Sequence, residues 1–334
     1  MTTALGTHVS VLRADVVEAL APRSGAVIVD GTFGRGGHTR ALLEVAGTRV
    51  IAFDRDPAAI EAGQAMVQAF APRLTLLEGR FGEMESALVR VGIALVDGVT
   101  FDFGVSSPQL DEPERGFSFQ ADGPLDMRME RQGPTAADIV NTASEEDLAT
   151  WIRTYGGERY ARRVAGRIVE ARAVAPFTRT GALADVVRRA VPRSGDGLDP
   201  ATRTFQALRI VVNDELGEIE RGLLAAETIL KPAGRLAVIA FHELEDGAVK
   251  RFLVARSEGR GGGASRHAPP KAAAAHAPTF RLVTRKPLRP SAAEVAANPR
   301  ARSARLRVAE RTHSIVEGRD PGEGAFVRHG GKTS

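Results

Sequence analysis

The 334-residue chain predicts an open, mostly parallel α/β sheet with helices on both faces, and three observations carry that prediction. Short β-branched apolar runs alternate with segments of helical periodicity through the first hundred or so residues, the pattern of strand–helix–strand units with right-handed crossovers. The first run is followed at once by a glycine-rich bend, Val27-Ile28-Val29-Asp30-Gly31-Thr32-Phe33-Gly34-Arg35-Gly36-Gly37-His38-Thr39. A carboxylate ends the second run 24 residues after Asp30, at Asp54. In such sheets a nucleotide-like ligand sits beyond the carboxyl ends of the strands. Glycine lets the backbone turn there with positive φ and come close to it.

The elements follow in order. Val9, Leu12, Val16, Val17 and Leu20 share a helical spacing, so residues 8–20 form a leading helix. Strand one covers 26–33, a helix 39–46, and strand two 49–56. Asp54 is placed to accept hydrogen bonds from ribose hydroxyls, whereas Asp56, followed by Pro57, reads as an N-cap. A helix over 58–70 leads to strand three at 74–81. Phe81, just past its end, either stacks on an adenine or packs in the core. Strand four covers 98–105 and runs into Ser106-Ser107-Pro108-Gln109. Residues 111–133, rich in Gly, Pro and charge but threaded with apolar side chains, form an ordered loop over the mouth of the sheet. Three helices then follow without strands. Ser144 and Asp147 open the first, Tyr160, Val164, Ile168 and Ala171 mark the second, and Leu183, Val186, Val187 and Ala190 the third. Pro200 starts a long helix to about Leu230, stopped by Lys231-Pro232-Ala233-Gly234. Strand five is 235–241, followed by a short helix at 245–254 and by two closing strands, 279–287 and 303–310. Residues 257–278 read as a flexible low-complexity loop and 312–334 as a disordered tail.

Composition narrows the partners. Cysteine is absent, which removes disulfides and thiolate metal sites and fits a reducing cytoplasm. No apolar run reaches the roughly 18 residues of a membrane span, and the charged N-terminus does not read as a signal peptide. The net charge of +4 hides a skew: 15 Lys/Arg against three Glu between Lys250 and Arg311, and ten Arg against three acids between Arg153 and Arg193. Two readings fit, a polyanionic partner or solvated basic faces. The helical stretch is likewise either a substrate-recognition module or a stabilising lid. No His/Asp/Glu cluster has metal-ligand spacing in the sequence, so no metal is expected.

The glycine bend lacks G-x-G-x-x-G, and no Lys-Ser/Thr follows it as a phosphate loop requires. Its ligand is therefore expected to have an adenosine without a phosphate chain, such as S-adenosylmethionine. Strand four ends where methyltransferases acting on exocyclic amines keep an Asp/Asn/Ser-Pro-Pro-aromatic tetrapeptide. Such an amine is a poor nucleophile because its lone pair is delocalised into the ring. Acceptors on both N–H bonds free that pair for in-line attack on a sulfonium methyl, and the hydroxyl, amide and main-chain carbonyl groups of this corner supply such acceptors.

Together, Gly31-Thr32-Phe33-Gly34-Arg35-Gly36-Gly37-His38, Asp54-Arg55-Asp56-Pro57, Gly104-Val105-Ser106-Ser107-Pro108-Gln109-Leu110-Asp111, Arg115-Gly116-Phe117-Ser118-Phe119, Gly123-Pro124-Leu125-Asp126-Met127-Arg128-Met129 and Asn298-Pro299-Arg300-Ala301-Arg302-Ser303 resemble the RsmH (MraW) family. These are bacterial 16S rRNA cytosine-N4 methyltransferases, and the likeness is collinear over about 8–311. It implies a class I (Rossmann-like) methyltransferase fold with a seven-stranded sheet, S-adenosylmethionine as donor, and a cytidine in the decoding centre of the small ribosomal subunit as target. The methyltransferase part is expected at 1–110 and 205–311, with an all-helical insertion at 111–204. Asp102, Ser106, Ser107, Pro108 and Gln109 are the expected catalytic set. Gly34, Gly36, Gly37, His38, Asp54, Phe81, Asp102 and Gln109 are the expected cofactor contacts, of which His38, Asp102 and Gln109 rest on the resemblance alone.

Strand four carries Phe101 and Phe103 where the family more often has leucines, a change of core packing. The tetrapeptide ends in Gln109 rather than an aromatic residue, so the target base must stack elsewhere, with Phe117 and Phe119 as candidates. His242 reads either as a late proton acceptor or as a structural histidine. Two rivals remain: a nicotinamide-dependent oxidoreductase, which would bind NAD, and a non-catalytic rRNA-binding assembly factor, whose RNA binding would survive loss of Asp102. Nothing in the sequence predicts a homo-oligomer.

Overall fold

The computed structural model describes residues 10–192, 197–257 and 277–314. Seven strands form one sheet in the order β3-β2-β1-β4-β5-β7-β6: β1 (Val27–Asp30), β2 (Arg49–Asp54), β3 (Leu74–Glu78), β4 (Val96–Asp102), β5 (Leu230–Ala240), β6 (Phe280–Leu282) and β7 (Arg305–Arg311). The first five pair in parallel, and β7 lies antiparallel between β5 and β6. The order reverses between β1 and β4, which opens a crevice at their carboxyl ends. Three acids finish the strands around that crevice: Asp30, Asp54 and Asp102.

Alternation along the strands sends side chains to two cores. Val29, Ile51, Phe53, Val99, Phe101, Leu236 and Val238 pack on one face against α4 (Met84–Arg90), α11 (Glu215–Ile229) and α12 (Glu243–Ser257). Ile28, Val50, Ala52, Ala237 and Ile239 pack on the other, beneath α1 (Arg13–Leu20), α2 (Gly37–Glu44) and α3 (Pro57–Ala69). A third core belongs to helices alone: α6 (Ala136–Thr142), α7 (Glu145–Thr154), α8 (Ala161–Val174), α9 (Thr180–Ala190) and α10 (Ala201–Asn213). The start of α7 is fixed as the sequence suggests, with Ser144 Oγ accepting from Asp147 N at 3.0 Å. Phe117, Leu125, Met127 and Met129 of the preceding loop are buried in the same core, so that loop is folded onto the helices.

The structure corrects several boundaries. The helix expected from Pro200 to Leu230 is two helices, broken at Asp214, whose φ of 47° is left-handed. The cause is Asn213, 2% exposed. Its Nδ2 donates to Met127 O and Arg209 O, and its Oδ1 accepts from Met129 N and Arg55 Nη2. Arg55 also donates to the Asn213 carbonyl at 2.9 Å, tying the last residue of α10 to the end of β2. Phe205, Ala207 and Leu208 belong to the helical core, so by packing the helical layer extends past 204 to the break at Asp214. Helix α2 starts at Gly37 rather than Thr39. Strand β5 includes an excursion, since Val96 pairs with Leu230 but Gly98 pairs with Arg235. Unforeseen are α4, α13 (Ala292–Ala297) and short 3-10 turns at Phe81–Glu83 and Pro299–Ser303. The segment α5 (Ser107–Asp111) turns the corner after β4 into a short helix. The flexible loop and tail expected at 257–278 and 312–334 fall mostly outside the described residues. No described helix is long and apolar enough to cross a membrane.

Asn213→Ala strips partners from two buried main-chain groups, Met129 N and Met127 O, and removes one of the two bonds that Arg55 Nη2 makes to Asn213. It is expected to lower unfolding free energy by about 2–4 kcal/mol, measured as a lower urea midpoint, with earlier proteolytic cleavage in 111–133.

Candidate active site

The crevice between β1 and β4 opens into a cavity where the glycine bend and the Ser106–Gln109 corner meet. Of the residues singled out in the sequence, Gly34, His38, Asp54, Phe81, Asp102, Ser106, Ser107 and Gln109 line it. Gly36, Gly37 and Pro108 do not, and for the two glycines a packing reason is clear. Gly36 takes a left-handed φ of 73° at the start of α2, where a Cβ would lie 2.7 Å from Met66 Cε and 2.8 Å from the Phe33 ring. A Cβ on Gly37 would meet Ser10 Oγ at 1.9 Å. Both glycines shape the bend by what must pack against it.

The strand-end acids are set by backbone contacts. Asp30, 1% exposed, accepts from Thr39 Oγ1 at 2.7 Å and Thr32 N at 3.1 Å. Burial pushes its pKa up, against the opposing field of His38. Asp54 accepts Gly34 N on Oδ2 at 2.7 Å and Asp56 N on Oδ1 at 2.8 Å. Burial raises its pKa to about 6, against the pull of those two amides. Each Asp54 oxygen keeps a second lone pair for another donor. Asp102 is held through its own N–H, which donates to Thr32 Oγ1 at 2.6 Å.

His38 is 4% exposed, and its Nε2 lies 3.4 Å from Asp102 Oδ2, long for a hydrogen bond. Burial works against the imidazolium, but the attraction of Asp102 and then of Asp30 outweighs it, so its pKa is raised. Among the described residues neither ring nitrogen of His38, nor Asp102 Oδ1, has a well-formed hydrogen bond. Buried polar groups of this kind ordinarily find partners, so the wall between α2 and β4 suits a polar ligand.

Phe81 packs in the core, one of the two roles weighed for it, and also borders the cavity. Its ring packs on Phe101 and Phe103, with centroids 5.0 and 5.7 Å away, while it also lines the cavity. Neither Phe117 nor Phe119 reaches the cavity lining. Phe117 is buried in the helical core, and Phe119 packs edge-on against Phe205 at 4.7 Å. The family contact Gln109 is 5% exposed and engaged at both ends: Oε1 accepts Ser106 N at 3.0 Å and Nε2 donates to Asp56 Oδ2 at 2.9 Å. Asp56 caps α3 as expected, accepting Ala58 N, and also accepts from Arg115 Nη1 at 2.8 Å. A loop residue, Met129, thereby reaches the lining too, along with Glu215, Glu218 and Glu245.

No sequence pattern pointed to those three glutamates, because α11 and α12 bring them from far along the chain. Glu215, His242 and Glu245 offer donor atoms within 4.8 Å of one another, a grouping that spacing in the sequence could not reveal. Their charges have protein partners. Glu215 is bidentate with Arg209 at 2.7 and 2.8 Å. Glu245 faces His242 Nε2 at 3.0 Å and accepts Phe241 N at 2.7 Å. Burial raises the Glu245 pKa, but His242, Arg209 and the Phe241 amide together bring it below its usual value. Among the described residues, then, the cavity is lined by six acids: Asp54, Asp56, Asp102, Glu215, Glu218 and Glu245.

The family model for MraW methylases matches residues 6–312. The chain belongs to the MraW methylase family. It is 61% identical over 305 residues to a protein of Rhodospirillum centenum named ribosomal RNA small subunit methyltransferase H, covering 91% of this chain and 92% of that one. A relative of the same name from Paramagnetospirillum magneticum is 58% identical, covering 91% and 96%. One from Rhodopseudomonas palustris is 56% identical, covering 92% and 91%. An rRNA methylase structure from Streptococcus thermophilus aligns over 90% of this chain and 93% of its own at 11% identity, with a TM-score of 0.39, too low for comparing residues.

Proposed function

We propose that this protein transfers a methyl group from S-adenosylmethionine to the exocyclic N4 of a cytidine in small-subunit rRNA, in the decoding centre, and that it acts in the cytoplasm. One observation carries the reading: the bend bearing Gly34 and His38 and the corner bearing Ser106, Ser107 and Gln109 line the same cavity. The names of the close relatives support the rRNA substrate. The lining fits the cofactor, since bare polar atoms on His38 and Asp102 call for polar partners and each Asp54 oxygen keeps a lone pair for a hydroxyl donor.

S-adenosylmethionine, when bound, supplies an electrophilic methyl on a cationic sulfur. The chain's own groups then have distinct tasks. Asp54 accepts from the ribose hydroxyls, and Phe81 offers a face to the adenine. The 34–38 bend and Asp102 hold the methionine portion. Ser106 and main-chain carbonyls of 104–109 accept from the target amine and free its lone pair. No strong base is needed before attack, because the nitrogen sheds its proton only once alkylated. Exposed Arg153, Arg159, Arg162 and Arg163 on the helical layer provide phosphate contacts, and the target base leaves its stack to enter the cavity.

Small subunits lacking the modification, incubated with methyl-labelled cofactor and digested to nucleosides, are expected to yield N4-methylcytidine by mass spectrometry. Label on cytosine carbon five or on adenine refutes the N4 assignment. Bound RNA with no label identifies a non-catalytic binder.

The raised Asp54 pKa gives a second check. Ribose hydroxyls donate to the ionised carboxylate, so binding is full well above pH 6, where Asp54 is ionised, and is lost as pH falls through that value. S-adenosylhomocysteine affinity is expected to weaken about tenfold at pH 5, and Asp54→Asn to bind weakly at every pH without that Asp54 step. A flat wild-type profile contradicts the assignment.

A further inference from the structure

The motif Asn298-Pro299-Arg300-Ala301-Arg302-Ser303 is distant in sequence from every residue given a role above, yet Asn298 and Arg300 line the cavity. The turn that carries them is well anchored. Asn298 Oδ1 accepts Arg300 N at 3.2 Å and caps the 3-10 turn, while Ala301 and Ala304 are fully buried in the core beneath α1 and α2. Arg300 is thereby presented with a fixed backbone. Its Nη1 donates to Ser107 Oγ at 2.8 Å and its Nη2 to Asp111 Oδ1 at 2.7 Å, bridging the first and last residues of α5.

A guanidinium can only donate. Ser107 Oγ therefore accepts from Arg300, and the hydroxyl hydrogen is left to point elsewhere. Ser107 is 8% exposed, and no described acceptor takes that hydrogen. The residue lines the cavity, so that hydrogen is available to an acceptor on a ligand bound there. Cytosine and adenine carry, beside the exocyclic amine on the pairing edge, a ring nitrogen that accepts, whereas guanine carries N–H there.

We propose that Arg300 is a positioning residue that fixes the polarity of the Ser107 hydroxyl, so that Ser107 donates to the ring nitrogen adjoining the target amine. The inference rests on the reading of the site as an amine methyltransferase. It divides the corner into groups that accept from the amine and one that donates to the neighbouring ring atom. A base with N–H at that ring position meets the Ser107 donor head-on and is turned away.

The test compares wild type, Ser107→Ala, Arg300→Ala, Arg300→Lys and the Ser107→Ala/Arg300→Ala double variant on unmodified small subunits, under single-turnover conditions. S-adenosylhomocysteine affinity and urea midpoints are measured alongside. Wild type must methylate cytidine, and its failure to do so refutes the underlying functional reading rather than the role of Arg300. Each alanine variant is expected to lose about ten- to a hundredfold in the rate of transfer, the range of one charge-assisted hydrogen bond. S-adenosylhomocysteine affinity stays within about twofold, and the double variant is no slower than Ser107→Ala, because the two residues act as a unit. Arg300→Lys, which keeps a donor for Ser107, restores most of the rate. The proposal is overturned by multiplicative losses in the double variant. A defect of Arg300→Ala confined to salt-dependent RNA affinity overturns it too, since that marks a phosphate contact. So does a lysine variant as slow as alanine at an unchanged urea midpoint. If Arg300→Ala fails to fold, Ser107→Ala and Arg300→Lys decide: full-rate transfer by Ser107→Ala overturns the proposal, and a slow Ser107→Ala with a fast Arg300→Lys upholds it.

Discussion

The carboxylate of Asp56 is the constraint on which the rest of the site depends. It lies just beyond β2, is 5% exposed, and caps α3 through Oδ1. Its Oδ2 accepts from Gln109 of the corner after β4 and from Arg115 of the loop leading to the helical layer. Three segments with no common strand or helix thus converge on one carboxylate. Arg115 goes on to donate to the carbonyls of Arg128 and Met129, and Met129 N is received by Asn213 at the break between α10 and α11. A continuous chain of hydrogen bonds, most of them charge-assisted, therefore runs from the end of the second strand to the start of α11 and ties the corner to the rim of the cavity. Replacing any buried member leaves the others desolvated without partners, which costs more than the bond itself contributes.

The same arrangement concentrates negative charge at the carboxyl edge of the sheet. Asp54 illustrates the expense, since a pKa raised from 3.8 to about 6 corresponds to about 3 kcal/mol against the ionised form at neutral pH. Backbone amides of Gly34 and Asp56 offset part of this, and His38 offsets part of the burial of Asp30. What remains is a cavity whose acids are largely paired within the protein, with a spare lone pair on each Asp54 oxygen and a bare oxygen on Asp102 left for a ligand's donors. Functional sites characteristically hold strain of this sort.

Much of this was legible in the sequence, for identifiable reasons. Strands β1 to β4 announce themselves because burial on both faces requires continuous β-branched runs, and the bend after β1 because its glycines occupy positions that Cβ atoms would fill. Asp54 and Phe81 could be placed because strand ends in such a sheet face the ligand. What stayed hidden depends on contacts made across the chain. The break at Asp214 coincides with the contacts that Asn213 makes to Met127, Met129 and Arg55, the last 158 residues away, against a helical periodicity that runs unbroken through it. The second function of Asp56 required Arg115 and Gln109 to arrive from elsewhere. The glutamates of α11 and α12 lie on otherwise ordinary amphipathic helices, and Phe117 offered no sign in sequence that it would be claimed by the helical core. Gln109 came from family resemblance as a cofactor contact, and its tie to Asp56 emerges only in three dimensions.

The central claim is that one cavity holds a methyl donor at the glycine bend and presents it to the corner after β4. It is tested most directly by a crystal structure with S-adenosylhomocysteine bound. The account predicts the ribose hydroxyls on Asp54, the homocysteine portion along Gly34 to His38 with a polar contact to the His38 ring, and the sulfur facing Ser106 and Ser107. Ligand density elsewhere on the molecule, or a sulfur directed away from that corner, contradicts it.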